Sequence, residues 1–367
     1  CENKYSGEKQ SSKLFLLELF HGKTCAFKDL ALSLLGGLLS KSLEKCGIDE
    51  PVLVLTATSG DTGSAALSGL GGQQGIRIAV IYPADGTSEI QRLQMTSVPL
   101  EDRCVIGLKG TFDDAQRIVK NIFQNAKNLR SPFFGIRLSS ANSINIGRLL
   151  PQIVYYVKAW RDLYSLGAID YGGAFDVVVP SGNFGDILAA RYAKAMGLPI
   201  RRLVCASNSN RILYDLFATG IYDRRRSFNK TISPSMDILV SSNLERLLYH
   251  AFCENSELVS RLMRQLENEG FFLIPQQFAA NISDFCAGWA DDLQTLESIR
   301  HMWEIHNLLI DPHTAVACKV AHELFSNSQN HQKDRTIMKT QVVNPIVIAA
   351  TASPFKFPAS CCAALQS

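Results

Sequence analysis

From residue 51 onward, short runs of aliphatic and β-branched residues alternate with stretches whose apolar positions recur every three or four residues. "PVLVLT" precedes "SGDTGSAALSGL", "IRIAVIYP" precedes "SEIQRLQM", and "CVIGLKG" precedes "FDDAQRIVKNIFQNAKN". The alternation continues with "FFGIRLS" before "SINIGRLLPQIVYYVKAWRDL", "FDVVVPSG" before "NFGDILAARYAKAMGL", and "RRLVCAS" before "NRILYDLFATG". Strands interleaved with helices of this length predict βαβ units and parallel sheet. The strands are apolar on both faces, as expected of strands covered by helices on either side. Beyond about residue 235 the pattern turns mainly helical, with a long stretch from Thr295 to Phe325, before the strand-like "PIVIAAT". The expectation is an α/β enzyme with two sheets and a cleft between them.

Composition narrows the class of protein. The 367 residues are 46% hydrophobic and 19% charged, which leaves ample core material for two domains. A net charge of +3 is too slight to imply nucleic acid or a membrane surface. The one dense basic cluster, Arg224–Arg226, reads as a solvated loop. Ten cysteines are scattered without a C-x-x-C pair, which argues against zinc and for reduced thiols in a cytoplasmic setting. The spacings of His301, His306, His313, His322 and His331 match no metal motif, so they read as surface or core residues and no metal is expected.

Ligands of open α/β sheets collect at the carboxyl ends of strands, and four unusual loops fall there. In "VVVPSGNFGDILA", Ser181, Gly182, Asn183 and Gly185 lead into a helix whose N-terminal N–H groups suit a phosphate. The turn lacks a P-loop or dinucleotide fingerprint, so a phosphate monoester fits better than a nucleotide. "TATSGDTGSAAL" packs Ser59, Gly60, Asp61 and Thr62 at a second such turn, which reads either as a carboxylate cup or as a capped helix start. "LSSANSINIGRLLPQ" crowds Asn142, Ser143 and Asn145 before Arg148, whose guanidinium can grip a phosphate through two bonds. Thr351 follows an apolar strand and alone reads as a strand-end cap. Lys28, in "FHGKTCAFKD", is either a solvated first-turn residue or a nucleophile held beside something anionic.

Taken in order, "LFHGKTCAFKD", "LTATSGDTGSAA", "NSINIGRLLPQ", "SGNFGDILA", "DPHTAVA" and "TASPFKFP" resemble the threonine synthases, pyridoxal phosphate enzymes of fold type II. "HGKTCAFKD" and "SINIGR" are similar to the threonine synthase-like 2 branch. The resemblance implies a tryptophan synthase β-like fold. Its larger cofactor domain would comprise residues 1–50 and 166–367, and its smaller domain, carrying the substrate loop, residues 51–165. It makes Lys28 the amine that bonds to the cofactor aldehyde, a task only a primary amine can do. It assigns Gly182, Asn183, Phe184, Gly185 and Asp186 to the cofactor phosphate and Thr351 to the pyridine nitrogen. Ser59, Gly60, Asp61 and Thr62 then receive the substrate carboxylate. Asn142, Ser143, Asn145 and Arg148 receive the substrate's own phosphate.

Two departures from the family pattern bear on activity. Lys23 stands where a proline is usual, and Ile146 where an aromatic is usual. Both suggest looser control of water, so the expected activity is a phospho-lyase acting on O-phosphothreonine and O-phosphohomoserine. Its products would be phosphate, ammonia and 2-oxobutyrate. The alternatives are a threonine synthase acting on O-phosphohomoserine and a non-catalytic isoform acting through protein contacts. The Cys1 start and the closing "ASCCAALQS" read as truncated or altered ends, which leaves a secreted form of a shortened isoform open.

Overall fold

A computed structural model describes residues 14–98, 101–126, 128, 132, 133, 135–330 and 344–366. Its strands, in chain order, are β1 (Leu14–Glu18), β2 (Val52–Ala57), β3 (Ile76–Pro83), β4 (Arg103–Leu108), β5 (Arg137–Ser140), β6 (Phe175–Pro180), β7 (Ile200–Ser207), β8 (Ile221–Asp223), β9 (Phe271–Leu273), β10 (Phe285–Trp289) and β11 (Ile346–Ala350). They form a five-stranded sheet ordered β1-β11-β6-β7-β10, a four-stranded sheet ordered β4-β3-β2-β5, and the antiparallel pair β8-β9. Every pairing within the two larger sheets is parallel. The expected α/β architecture is therefore present.

Alternate residues of the five-stranded sheet feed two cores. Val177, Val179, Leu203 and Cys205 face one, and Val178, Val204, Ala206 and Ile348 face the other. The continuous apolar strands in the sequence have this two-sided burial as their cause. The four-stranded sheet is likewise covered on both sides. Leu32, Leu35 and Leu43 of the helix Lys28–Lys45 pack with Val52, Val54 and Ile78, while Ala115 and Val119 pack with Leu55 and Ile81. The helix Ile153–Ser165 instead sends Tyr155, Tyr156, Ala159 and Leu163 into the core of the five-stranded sheet.

Several segments differ from the expectation. β1 and β10 are strands that the hydrophobic pattern did not mark. The long stretch from Thr295 to Phe325 is two helices, Asp292–His306 and Pro312–Asn330. Asn307, left-handed at φ +51°, ends the first, and Pro312 opens the second, where a missing N–H costs nothing. "SINIGRLLPQIVYY" is also broken, into a short helix Ile146–Leu149, a 3₁₀ turn through Pro151, and the helix from Ile153.

Arg225 and Arg226 pair with Asp223 and Asp215, and Arg225 lies over the Phe271 ring. The cysteines among the described residues are free thiols. No helix among the described residues is long and apolar enough to cross a membrane. Cys1 and His331 lie outside the described residues.

Candidate active site

β1 and β11 are neighbours in register, Leu14 opposite Ile346 through Glu18 opposite Ala350. The loops leaving their carboxyl ends therefore emerge side by side. The Phe27 N–H donates to the Thr351 carbonyl at 2.8 Å, the Ser353 N–H donates to the Cys25 carbonyl at 3.1 Å, and Ala26 bridges Ala352. Asp29 closes the loop from within, accepting the Thr24 N–H at 2.9 Å and the Thr24 hydroxyl at 2.5 Å. These bonds fix the start of the helix that Lys28 opens.

Lys28, Ser59, Thr62, Asn142, Ser143, Arg148, Gly182 through Asp186, and Thr351 line one cleft of about 890 Å³, open mouth included. Gly60, Asp61 and Asn145 do not line it, and each has a physical reason. Gly60 sits at φ +144°, with the Gln91 amide packed where a Cβ would project. Asn145 caps the helix Ile146–Leu149: its Oδ1 accepts the Gly147 N–H, and its Nδ2 donates to the Ser140 carbonyl. Asp61 is turned inward. Lys28 Nζ lies 3.3 Å from its Oδ2 and Lys356 Nζ 2.8 Å from its Oδ1; Gln91 Nε2 at 2.8 Å and the Ser235 hydroxyl at 3.3 Å also donate to it. A carboxylate so occupied is an acceptor for cations and no seat for a second carboxylate, so the Asp61 side chain faces away from the cleft that its loop borders.

Burial sets the state of this cluster. It is the main force lowering the Lys28 pKa, opposed by Asp61 and aided by the Arg148 and Lys356 charges. Burial works against the Asp61 charge, but Lys356 first and then Lys28 hold its carboxyl well below the usual range. The side chain of Lys28 keeps 11% exposure, so its amine remains reachable from the cleft.

The turn after β6 has a different design. Phe184 adopts φ +62°, and the helix Gly185–Ala195 starts directly behind it. A Cβ on Gly182 would stand 3.0 Å from the Ser235 carbonyl oxygen and 3.1 Å from the Met236 Cα. Only glycine lets the segment Pro234–Ile238 close over the turn. Ser241 donates to the Gly182 carbonyl, and Asn243 donates to the Asn183 carbonyl through both its N–H and its side chain. Asp186 accepts the Tyr156 hydroxyl at 2.9 Å, while its other oxygen is buried without a partner among the described residues. Burial raises its pKa to about 7, and the Tyr156 bond only moderates the rise.

On the third loop, Asn142 pins the end of β2, donating to the Ala57 carbonyl and accepting the Ala57 N–H. Ser143 meets Ser242 at 2.9 Å. Arg148 is buried beside it. Its Nη1 donates to the Ala141 carbonyl, its Nε is without a partner among the described residues, and burial lowers its pKa to about 10.

The sequence reading missed Lys356, Gln91, Ser235 and His313. His313 donates from Nδ1 to Asp311 at 2.7 Å and accepts the Ser235 N–H at Nε2, so it props the Pro234–Ile238 segment and lines the cleft. The available signals were a lysine inside the apolar block "SPFKFP" and a histidine beside an aspartate in "DPHTA". The departures Lys23 and Ile146 fall away from the cleft: Lys23 is exposed and Ile146 is 44% exposed.

A buried primary amine whose charged form burial disfavours, a glycine turn at a helix N-terminus, and a buried guanidinium whose Nε has no partner among the described residues form a donor set that suits pyridoxal phosphate. Comparison with known proteins agrees. Residues 3–282 match the family described as pyridoxal-phosphate dependent enzyme, which fixes the class and its cofactor. Threonine synthase of Eremothecium gossypii is 39% identical over 96% of this chain and 69% of its own length. The solved structure of PLP-bound threonine synthase from Brucella melitensis is 38% identical and superposes with a TM-score of 0.83, covering 98% of this chain and 72% of that one. The chain belongs to the threonine synthase family of fold-type II enzymes. Threonine synthase-like 1 of Macaca fascicularis is 40% identical over 97% of this chain, which spans about half (47%) of that relative. That relative is of the like-1 branch, whereas the block variants resembled the like-2 branch.

Proposed function

We propose that the chain eliminates phosphate from phosphorylated 2-amino acids, O-phosphothreonine and O-phosphohomoserine, and releases phosphate, ammonia and 2-oxobutyrate. One observation carries the reading: the Lys28 amine, the glycine turn at 182–185 and the Arg148 guanidinium line a single cleft. We assign the cofactor aldehyde to Lys28, its phosphate to Gly182, Asn183, Phe184, Gly185 and Asp186, and its ring nitrogen to Thr351. When bound, pyridoxal phosphate withdraws electrons from the substrate's α-carbon and so acidifies the protons beside it.

The residues of the chain supply the rest. Lys28, whose charged form burial disfavours, takes the proton at Nζ. Arg148 with Asn142 and Ser143 receives the substrate's phosphate and stabilises it as it leaves. Ser59 and Thr62 offer hydroxyls and N–H groups at the start of the helix Asp61–Leu70 to the substrate carboxylate. The unsaturated amine left behind takes up water, giving 2-oxobutyrate and ammonia. Elimination asks least of the cleft, since it needs one amine and three anion seats.

The relatives named threonine synthase support a second reading, in which water adds at the β-carbon and the product is threonine. Incubation with each phosphorylated amino acid separates the two. Phosphate and 2-oxobutyrate in equal amounts support the lyase; phosphate with threonine supports the synthase. Lys28→Ala should cut phosphate release by about a thousandfold or more, measured by a colorimetric phosphate assay.

A further inference from the structure

Lys356 is the least expected charge in the molecule. It is 2% exposed, it comes from the 3₁₀ turn Pro354–Lys356 beyond β11, and its ammonium reaches two groups. One is Asp61 Oδ1 at 2.8 Å; the other is the Thr24 carbonyl at 2.7 Å, which also accepts Gln94 Nε2 at 3.2 Å. Asp61 thus stands between two buried lysines, and the tighter contact is with Lys356, the one that does not line the cleft.

We propose that Lys356 is a positioning residue that claims the Asp61 carboxylate and thereby keeps the Lys28 amine in its proton-free, nucleophilic form. The inference deepens the proposed function and rests on its assignment of the cofactor to Lys28.

The physical argument is a competition. A carboxylate shared with one lysine alone would hold that lysine charged, as in any buried ion pair. A second ammonium at 2.8 Å compensates the carboxylate, so the pull left for Lys28 at 3.3 Å is weaker. It also adds a like charge that disfavours a proton on Lys28. The charges acting on Lys28 are Asp61, Arg148 and Lys356, of which only Asp61 favours the ammonium, and burial outweighs it. Asp186, Asp237 and His313 line the same cleft. The contact with Thr24 makes the device geometric as well, because Thr24 is tied to Asp29 beside Lys28. Lys356 therefore grips both the counter-ion of Lys28 and the loop that carries it.

The test reads the proton on Lys28 through its reactivity. The purified chain is mixed with pyridoxal phosphate across a pH series and quenched with borohydride, which fixes the nitrogen–carbon bond as a secondary amine. The pyridoxyl-Lys28 peptide is then quantified by mass spectrometry. For the wild type, the midpoint of attachment should lie well below that of free lysine. For Lys356→Met the midpoint should move up by about one pH unit, slowing attachment at pH 7 by about tenfold. Lys356→Arg, which restores the cation, should recover the wild-type midpoint, and Asp61→Asn should move it down. A side chain that merely fills space would shift none of these midpoints.

The inference is overturned if a folded Lys356→Met has the wild-type midpoint, if Asp61→Asn raises it, or if the wild-type midpoint equals that of free lysine. Should a variant fail to fold, the wild-type midpoint still decides. A wild-type adduct on some other lysine, or on none, would instead overturn the proposed function itself.

Discussion

Asp61 and Asp186 invite comparison because the chain builds them alike. Each lies in the first turn of a helix that follows a glycine-bearing strand end, and each is buried, at 3% and 6% exposure. The helix N-terminus favours a negative charge at both, and burial disfavours it at both. Their states are nonetheless opposite. Lys356 and Lys28 outweigh burial and hold Asp61 well below the usual carboxylate range, whereas Asp186 meets only a tyrosine hydroxyl and rises to about 7. Helix position and burial are common to both sites, so the partner decides. The same residue type serves as a fixed anion on the four-stranded side of the cleft and as a group poised to carry a proton on the five-stranded side.

The largest effect that would break the comparison comes from removing the anion. Asp61→Ala leaves the buried Lys356 ammonium without its counter-charge and takes from Lys28 its acceptor, and should cost about 3–5 kcal/mol of stability, read from urea midpoints at pH 7. Asp186→Asn should act in the other direction, with a marked pH dependence. Unfolded, Asp186 ionises near 3.8; folded, near 7. Between those values the unfolded chain sheds its proton first, so rising pH weakens the wild-type fold, and above about 7 the loss is complete. The Asn variant lacks this loss. Its stability relative to wild type should improve across that window by about 4 kcal/mol and then level off, measured without added pyridoxal phosphate. The smallest effect belongs to Tyr156→Phe. Losing the bond to Asp186 should cost about 1 kcal/mol and extend the pH window upward, in the same urea titrations.

Much of this arrangement was legible in the chain. β2, β3, β6, β7 and β11 are continuous apolar runs because helices cover both faces of their sheets, and two-sided burial leaves a strong trace. β1, "LFLLE", runs directly into the loop that carries Lys28, and β10, "FCAGW", is five residues with a glycine, so neither leaves a readable run. Their places come from pairing with β11 and β7 across long separations, which no local pattern records. In the same way, the residues that line the cleft were visible as strand-end loops, but their partners were not. Asp61 looked like a cap because Lys356, Gln91 and Ser235 reach it from three distant segments. Asn145 looked like a ligand residue because capping and binding call on the same amide chemistry.

The pairing of β1 with β11 carries a consequence for biogenesis. The loop bearing Lys28 leaves the ribosome long before Thr351, Ser353 and Lys356, which hold it in place. A nascent chain therefore cannot fix this loop until β11 has been made, and closing so long a loop is slow. Translation that stops short of β11 would leave the Lys28 loop without its neighbouring strand.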